Sequence, residues 1–143
     1  MIERMKPEYL NEVMRIWLDT NRSAHPFINP GDWEAAYDMV RQQLPAADLF
    51  VCQDDGEVRG FIGITGGSYI AGLFVDQQYQ SRGIGRKLLD YCKLQYQYLE
   101  LDVFTANSKA VRFYQRNGFV PVEKKLNDDF KQEEYHMIWP EQG

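Results

Sequence analysis

Apolar residues recur at helical spacing in two early stretches of the chain. Leu10, Val13, Met14, Trp17 and Leu18 share one helix face, and Trp33, Ala36, Tyr37, Val40 and Leu44 share another. Lys6-Pro7-Glu8-Tyr9-Leu10 opens the first helix, since proline is accepted in a first turn. Asn29-Pro30 opens the second as a cap followed by proline, and Pro45 stops it. The pattern predicts a loop from Asn21 to Asn29 between them, carrying His25-Pro26-Phe27-Ile28. Leu49 to Gln53 and Val58 to Ile64 then read as strands around the hairpin signal Asp54-Asp55-Gly56. Gly66-Gly67 turns the chain into a third strand, Tyr69 to Val75. From Gly83 to about Tyr96 the helical period returns, with Ile84, Leu88, Tyr91 and Cys92 facing inward. Leu99 to Phe104 is a strand, and Ser108 to Arg116 a short helix with Asn117-Gly118 as its left-handed exit. Phe119 to Leu126 and Glu134 to Ile138 form a final antiparallel pair joined through Asn127-Asp128-Asp129. A short strand at Ile2 to Met5 precedes everything. Consecutive hairpins followed by one crossover helix predict an α/β fold of the α+β kind, with a mixed sheet flanked by helices.

Length and composition add few constraints. The 143 residues suit one domain, residues 1–143, with one core. Hydrophobic residues at 44% and charged residues at 26% are those of a soluble globular protein. The net charge of −5 argues against general nucleic-acid binding and permits a cationic substrate such as an amine. No apolar run is long enough to span a bilayer, so no membrane partner is expected. The start, Met1 to Lys6, lacks the apolar core of a signal peptide, which makes the cytoplasm the expected compartment. Cys52 and Cys92 fall in apolar patterns without metal-ligand spacing; buried thiols and no metal site are expected. Monomer and homodimer both remain open.

The segment that carries chemistry is Gln80-Ser81-Arg82-Gly83-Ile84-Gly85-Arg86-Lys87, which joins a strand to a helix. Unpaired N–H groups and the helix dipole make such a start an anion site. Gly83 and Gly85 carry no Cβ to block a bulky phosphate, and Arg82, Arg86 and Lys87 add charge. The Gly-Lys-Ser/Thr of a Walker loop is absent, and so is the third glycine of a dinucleotide fingerprint. Taken alone, the loop leaves the phosphate compound open.

Gln80 to Gly85 resembles the Gln/Arg-x-x-Gly-x-Gly/Ala signature of the GNAT superfamily of N-acetyltransferases. Asn107-Ser108-Lys109-Ala110-Val111-Arg112-Phe113-Tyr114-Gln115-Arg116-Asn117-Gly118-Phe119 resembles that family's second motif, Asn-x-x-Ala-x-x-Phe-Tyr-x-x-x-Gly-Phe. The stretch Trp17 to Ile28 is also similar to a subgroup of small bacterial members.

The resemblance implies a central mixed, mostly antiparallel sheet with a splay between two parallel strands, Tyr69–Val75 and Leu99–Phe104. It implies acetyl-CoA as donor and an amine as acceptor, on a protein lysine, an N-terminus or a small molecule. Cofactor contacts would come from the Gln80, Arg82, Gly83, Ile84, Gly85, Arg86 and Lys87 loop, with backbone N–H groups on the pyrophosphate. Leu73 and Val75 would hydrogen-bond the pantetheine arm as a further strand. Asn107 would cap the short helix and reach the arm, with Ala110, Phe113 and Tyr114 beside it.

Acyl transfer needs an uncharged amine, whose pKa as a lysine is about 10.4, and a proton for the departing thiolate. Tyr114 occupies the family's acid position. Tyr69, at the start of the strand feeding the site, and His25, in the interhelix loop, are the candidates for ordering or deprotonating the acceptor. Asp102, Glu100, His136 and a chain of waters are further candidates. No Glu or His occurs from Tyr69 to Val75, where some members keep a carboxylate. Trp17, Phe27, Trp33, Tyr37, Tyr69 and Tyr135 are candidates to line an acceptor groove. The alternative reading is a catalytically silent acyl-CoA sensor of the same fold.

Overall fold

A computed structural model describes residues 1–140. In chain order the elements are β1 (Ile2–Arg4), α1 (Leu10–Ala24), α2 (Pro30–Gln43), β2 (Asp48–Asp54), β3 (Glu57–Thr65) and β4 (Tyr69–Val75). They continue with α3 (Ile84–Gln95), β5 (Leu99–Phe104), α4 (Ser108–Arg116), β6 (Val120–Asn127) and β7 (Gln132–Trp139). Among the described residues the strands form one seven-stranded sheet in the order β1-β2-β3-β4-β5-β7-β6, parallel only between β4 and β5.

Most local signals act as expected. Asp55 and Gly56 both take positive φ (52° and 79°), as a two-residue type I′ hairpin requires. The Asn29 side chain accepts from Gly31 N at 2.9 Å and caps α2. The end of α1 differs from expectation. The helix runs through Asn21 to Ala24, and Asn21 is buried in it. Its Nδ2 donates to the Trp17 carbonyl at 2.9 Å, and Thr20 Oγ1 donates to the Ile16 carbonyl. Polar side chains that bond back one turn can be buried without ending a helix.

Two cores lie on the two faces of the sheet. Leu88, Leu89, Leu99, Leu101 and Phe119 pack with α3 and α4 on one face. Met14, Ile16, Trp17, Val51 and Phe61 pack with α1 and α2 on the other. β3 is covered on both sides, which explains its nearly continuous apolar run.

The sheet opens between β4 and β5. Among the described residues the two strands are in register at a single pair, Tyr69 with Glu100, where Glu100 N donates to Ser68 O at 2.9 Å. An irregularity opposite Gly63 and Ile64 follows at once on β4. Farther along, Asp76 N donates to Arg59 O at 2.8 Å. Antiparallel alternation then turns Phe74 toward β3 and the backbone groups of Leu73 and Val75 toward the gap.

Candidate active site

A cleft of about 1350 Å³ occupies this gap and the space between α3 and α4. Its walls include Leu73 and Val75 of β4, Gly83 to Arg86, and Asn107, Ala110, Phe113 and Tyr114 around α4. The end of α1 and the following loop, from Thr20 to Phe27, supply the opposite wall.

The first helical bond of α3 runs from Lys87 N to Gly83 O at 3.0 Å. The N–H groups of Ile84, Gly85 and Arg86 precede it and have no intrahelical partner. No side chain caps this helix. Gly83 sits in the left-handed region at φ 82°, with open space where a Cβ would stand. Its glycine is required by backbone conformation. Gly85 serves packing, because a Cβ there would lie 3.1 Å from the Phe113 ring. At Gly85 the close approach of α3 and α4 thus adds a packing reason for glycine to the expected one, room for an anion.

The charges of the loop diverge. Arg86 lines the cleft. Arg82 stands over the Tyr79 ring at 5.6 Å, Lys87 is exposed, and neither lines the cleft. Gln80 lines it, and its Nε2 donates to the outward-turned Val75 carbonyl at 3.1 Å, tying the loop to the open strand edge.

Asn107 caps α4, with Oδ1 accepting from Ala110 N at 3.2 Å. One α-helical turn spaces Ala110, Phe113 and Tyr114 along the cleft side of that helix. Tyr114 is only 9% exposed, edge-on to Phe113 and Phe119. Burial raises its phenol pKa, so the hydroxyl stays protonated.

The acceptor-side candidates fall into two places. His25 lines the cleft, with Nδ1 3.2 Å from Asn21 O and Nε2 3.2 Å from Asn107 Nδ2. Burial lowers its pKa, against the raising effect of the Asn21 carbonyl. Tyr69 does not line the cleft. Its hydroxyl donates to Asp102 Oδ2 at 2.7 Å. Burial, then this bond, pushes the Tyr69 phenol up. Asp102 Oδ1 also meets His136 Nδ1 at 2.8 Å and Lys125 Nζ at 3.1 Å. His136 Nε2 lies 3.1 Å from Glu100 Oε1, and Ser68 Oγ donates to Glu100 Oε2 at 2.8 Å. Tyr69, Glu100, Asp102 and His136 are therefore one network at the root of the splay.

Of the six aromatics named for an acceptor groove, Phe27 alone lines the cleft; Trp17 and Trp33 are buried in the core. Cys52 and Cys92 are buried, and burial pushes the Cys92 thiol up to about 12. Sequence reasoning missed the wall made by Thr20, Ser23 and Ala24, because it ended α1 too early. It also missed Lys125, whose contact with Asp102 has no local signal.

The family model of the acetyltransferase (GNAT) domain matches residues 19–132. The chain belongs to the GNAT acetyltransferases. Among its relatives is the peptidyl-lysine N-acetyltransferase YiaC of Escherichia coli strain K12, 32% identical over 141 residues, covering 98% of this chain and 97% of that protein. The peptidyl-lysine N-acetyltransferase YjaB of the same organism is 27% identical over 128 residues, covering 90% and 87%. The solution structure of the apo form of Escherichia coli YjaB superposes with a TM-score of 0.85 at 25% identity, covering 97% and 96%. In this GNAT acetyltransferase the two sequence motifs occupy the α3 entry and α4, the two sides of one cleft.

Proposed function

We propose that this acetyltransferase transfers the acetyl group of acetyl-CoA directly to a primary amine in a ternary complex, with a protein lysine as acceptor. One observation carries the reading. The unpaired edge of β4, the uncapped start of α3 and the Tyr114 side chain share a single cleft. An open strand edge suits an amide-bearing arm, and three free N–H groups suit a pyrophosphate. The lysine class is supported by the named activities of two relatives.

In this reading the Ile84, Gly85 and Arg86 N–H groups hold the pyrophosphate, flanked by Gly83. The Leu73 and Val75 backbone groups bind the pantetheine arm beside Asn107, Ala110 and Phe113. Arg86 supplies charge at the cleft itself. Gln80 fixes the loop, and Arg82 and Lys87 contribute long-range attraction from outside the cleft. The Leu73 N–H is placed to stabilise charge on the thioester oxygen as it turns tetrahedral. Tyr114 returns a proton to the departing sulfur. Tyr69 stands outside the cleft and, as a donor to Asp102, braces the root of the splay rather than touching the acceptor. The acceptor ammonium gives its proton to a chain of waters and attacks as the neutral amine.

Incubating the protein with acetyl-CoA and lysine-bearing peptides, together with a panel of small amines, tests this. Thiol release should depend on the amine, and mass spectrometry should find an added acetyl group on lysine. Acetyl-CoA binding without thiol release for any amine overturns the enzymatic reading in favour of a sensor.

A further inference from the structure

His25 and Asn107 stand 82 positions apart, yet their side chains meet on the cleft wall. The Asn107 Oδ1 accepts the Ala110 N–H at 3.2 Å, so its amide must turn its NH₂ toward His25. The nitrogen facing it, His25 Nε2 at 3.2 Å, must then be an acceptor. The ring proton is left on Nδ1, 3.2 Å from the Asn21 carbonyl, which only accepts. The chain of contacts is complete for the neutral ring in that one tautomer. A proton on Nε2 would set donor against donor. Flipping the Asn107 amide to relieve this would remove the cap on α4.

The surroundings favour the same state. Phe27, Trp33 and Phe104 rings lie 5.5, 5.3 and 5.1 Å from the imidazole, centroid to centroid. The hydrogen-bond partners of its ring nitrogens are the Asn21 carbonyl and the Asn107 amide, both uncharged. Both ring nitrogens are engaged, and neither is free to take a proton from an amine.

We propose that His25 is a positioning residue that acts through Asn107, rather than the base that deprotonates the acceptor. It locks the Asn107 carboxamide by its NH₂ edge and ties the α1–α2 loop to the start of α4. The second Asn107 amide proton then points reproducibly to the acyl donor. This last step rests on the acetyl-CoA reading above; the tie itself does not.

Three measurements on the intact protein decide it. Long-range ¹H–¹⁵N correlation of the imidazoles should show His25 neutral with its proton on Nδ1 at pH 7.5. A proton on Nε2, or an imidazolium, overturns the proposal. In steady state, His25→Leu should raise the KM for acetyl-CoA about three- to ten-fold, the value of one neutral hydrogen bond. Its kcat and the shape of its pH–rate profile should hold. His25→Gln should restore KM, because its carbonyl oxygen accepts from Asn107 but takes no proton. A kcat loss of about a hundred-fold or more in both variants, with disappearance of a limb of the pH profile, marks a general base and overturns the proposal. Should the protein bind no acetyl-CoA, that reading falls, while a His25→Leu and Asn107→Ala cycle in unfolding free energy still judges the tie. Coupling supports it, and additivity overturns it.

Discussion

Burial keeps the Tyr114 phenol in its protonated form, the state required of a proton donor to a departing thiolate. Tyr114→Phe removes the proton and keeps the ring between Phe113 and Phe119. We expect kcat to fall on the order of a hundred-fold, with acetyl-CoA affinity unchanged, by steady-state kinetics beside calorimetric titration. Equal loss of affinity would show a packing role instead. Tyr114 was legible in the sequence because its motif fixes its place on one short helix. The partners of His25 and Tyr69 were not, since Asn107 and Asp102 are brought to them by long-range folding. Glu134 makes the same point. It is buried on β7, and burial raises its pKa although the Asn127 amide opposes this. In the unfolded chain Glu134 ionises at lower pH than in the folded protein. Its stability cost therefore appears as pH rises above the ordinary carboxylate range. Glu134→Gln should be more stable than the parent near pH 7, with the difference vanishing near pH 4, measured by urea unfolding at both pH values. A difference independent of pH would assign the effect to packing.

At the scale of elements, the two helix starts on the cleft obey different rules. α3 begins on a left-handed glycine with no side-chain cap, which leaves its N–H groups free. α4 begins on Asn107, whose side chain occupies one of them. Gly83→Ala should destabilise the fold by about 1 kcal/mol, the strain of a left-handed alanine. It should also weaken acetyl-CoA binding, while Gly83→Asn, which tolerates that region, should recover most of both; thermal unfolding with and without acetyl-CoA reads the two effects. Asn107→Ala should cost about 1 kcal/mol of stability through the lost cap, checked by urea denaturation. The strands and helix starts were legible from turn residues and spacing. The end of α1 was not, because Thr20 and Asn21 satisfy themselves on the preceding turn.

At the scale of the molecule, the sheet of the described residues carries one core on each face and a single parallel pair that parts immediately after Tyr69. The Asp102 network sits at the root of that divergence. Burial disfavours the Asp102 carboxylate, but hydrogen bonds from Tyr69, His136 and Lys125 outweigh it and hold its pKa below the usual range. The resulting stability is present above the unfolded carboxylate pKa and is lost as pH falls through the folded one. Asp102→Asn should therefore lower the unfolding free energy at neutral pH and flatten its loss in acid, followed by denaturation from pH 7 down to pH 3. An unchanged acid limb would assign it to other carboxylates. The sequence by itself determined the order of elements, the two motif-bearing helix starts and the family, because periodicity, turn residues and short motifs act within a few residues of chain. Only the tertiary structure decided which loop charge faces the cleft, how the surroundings of Gly83 and Gly85 differ, and which groups His25 and Tyr69 hold. Those answers depend on contacts between distant segments, where burial and the matching of donors to acceptors set the state of each side chain.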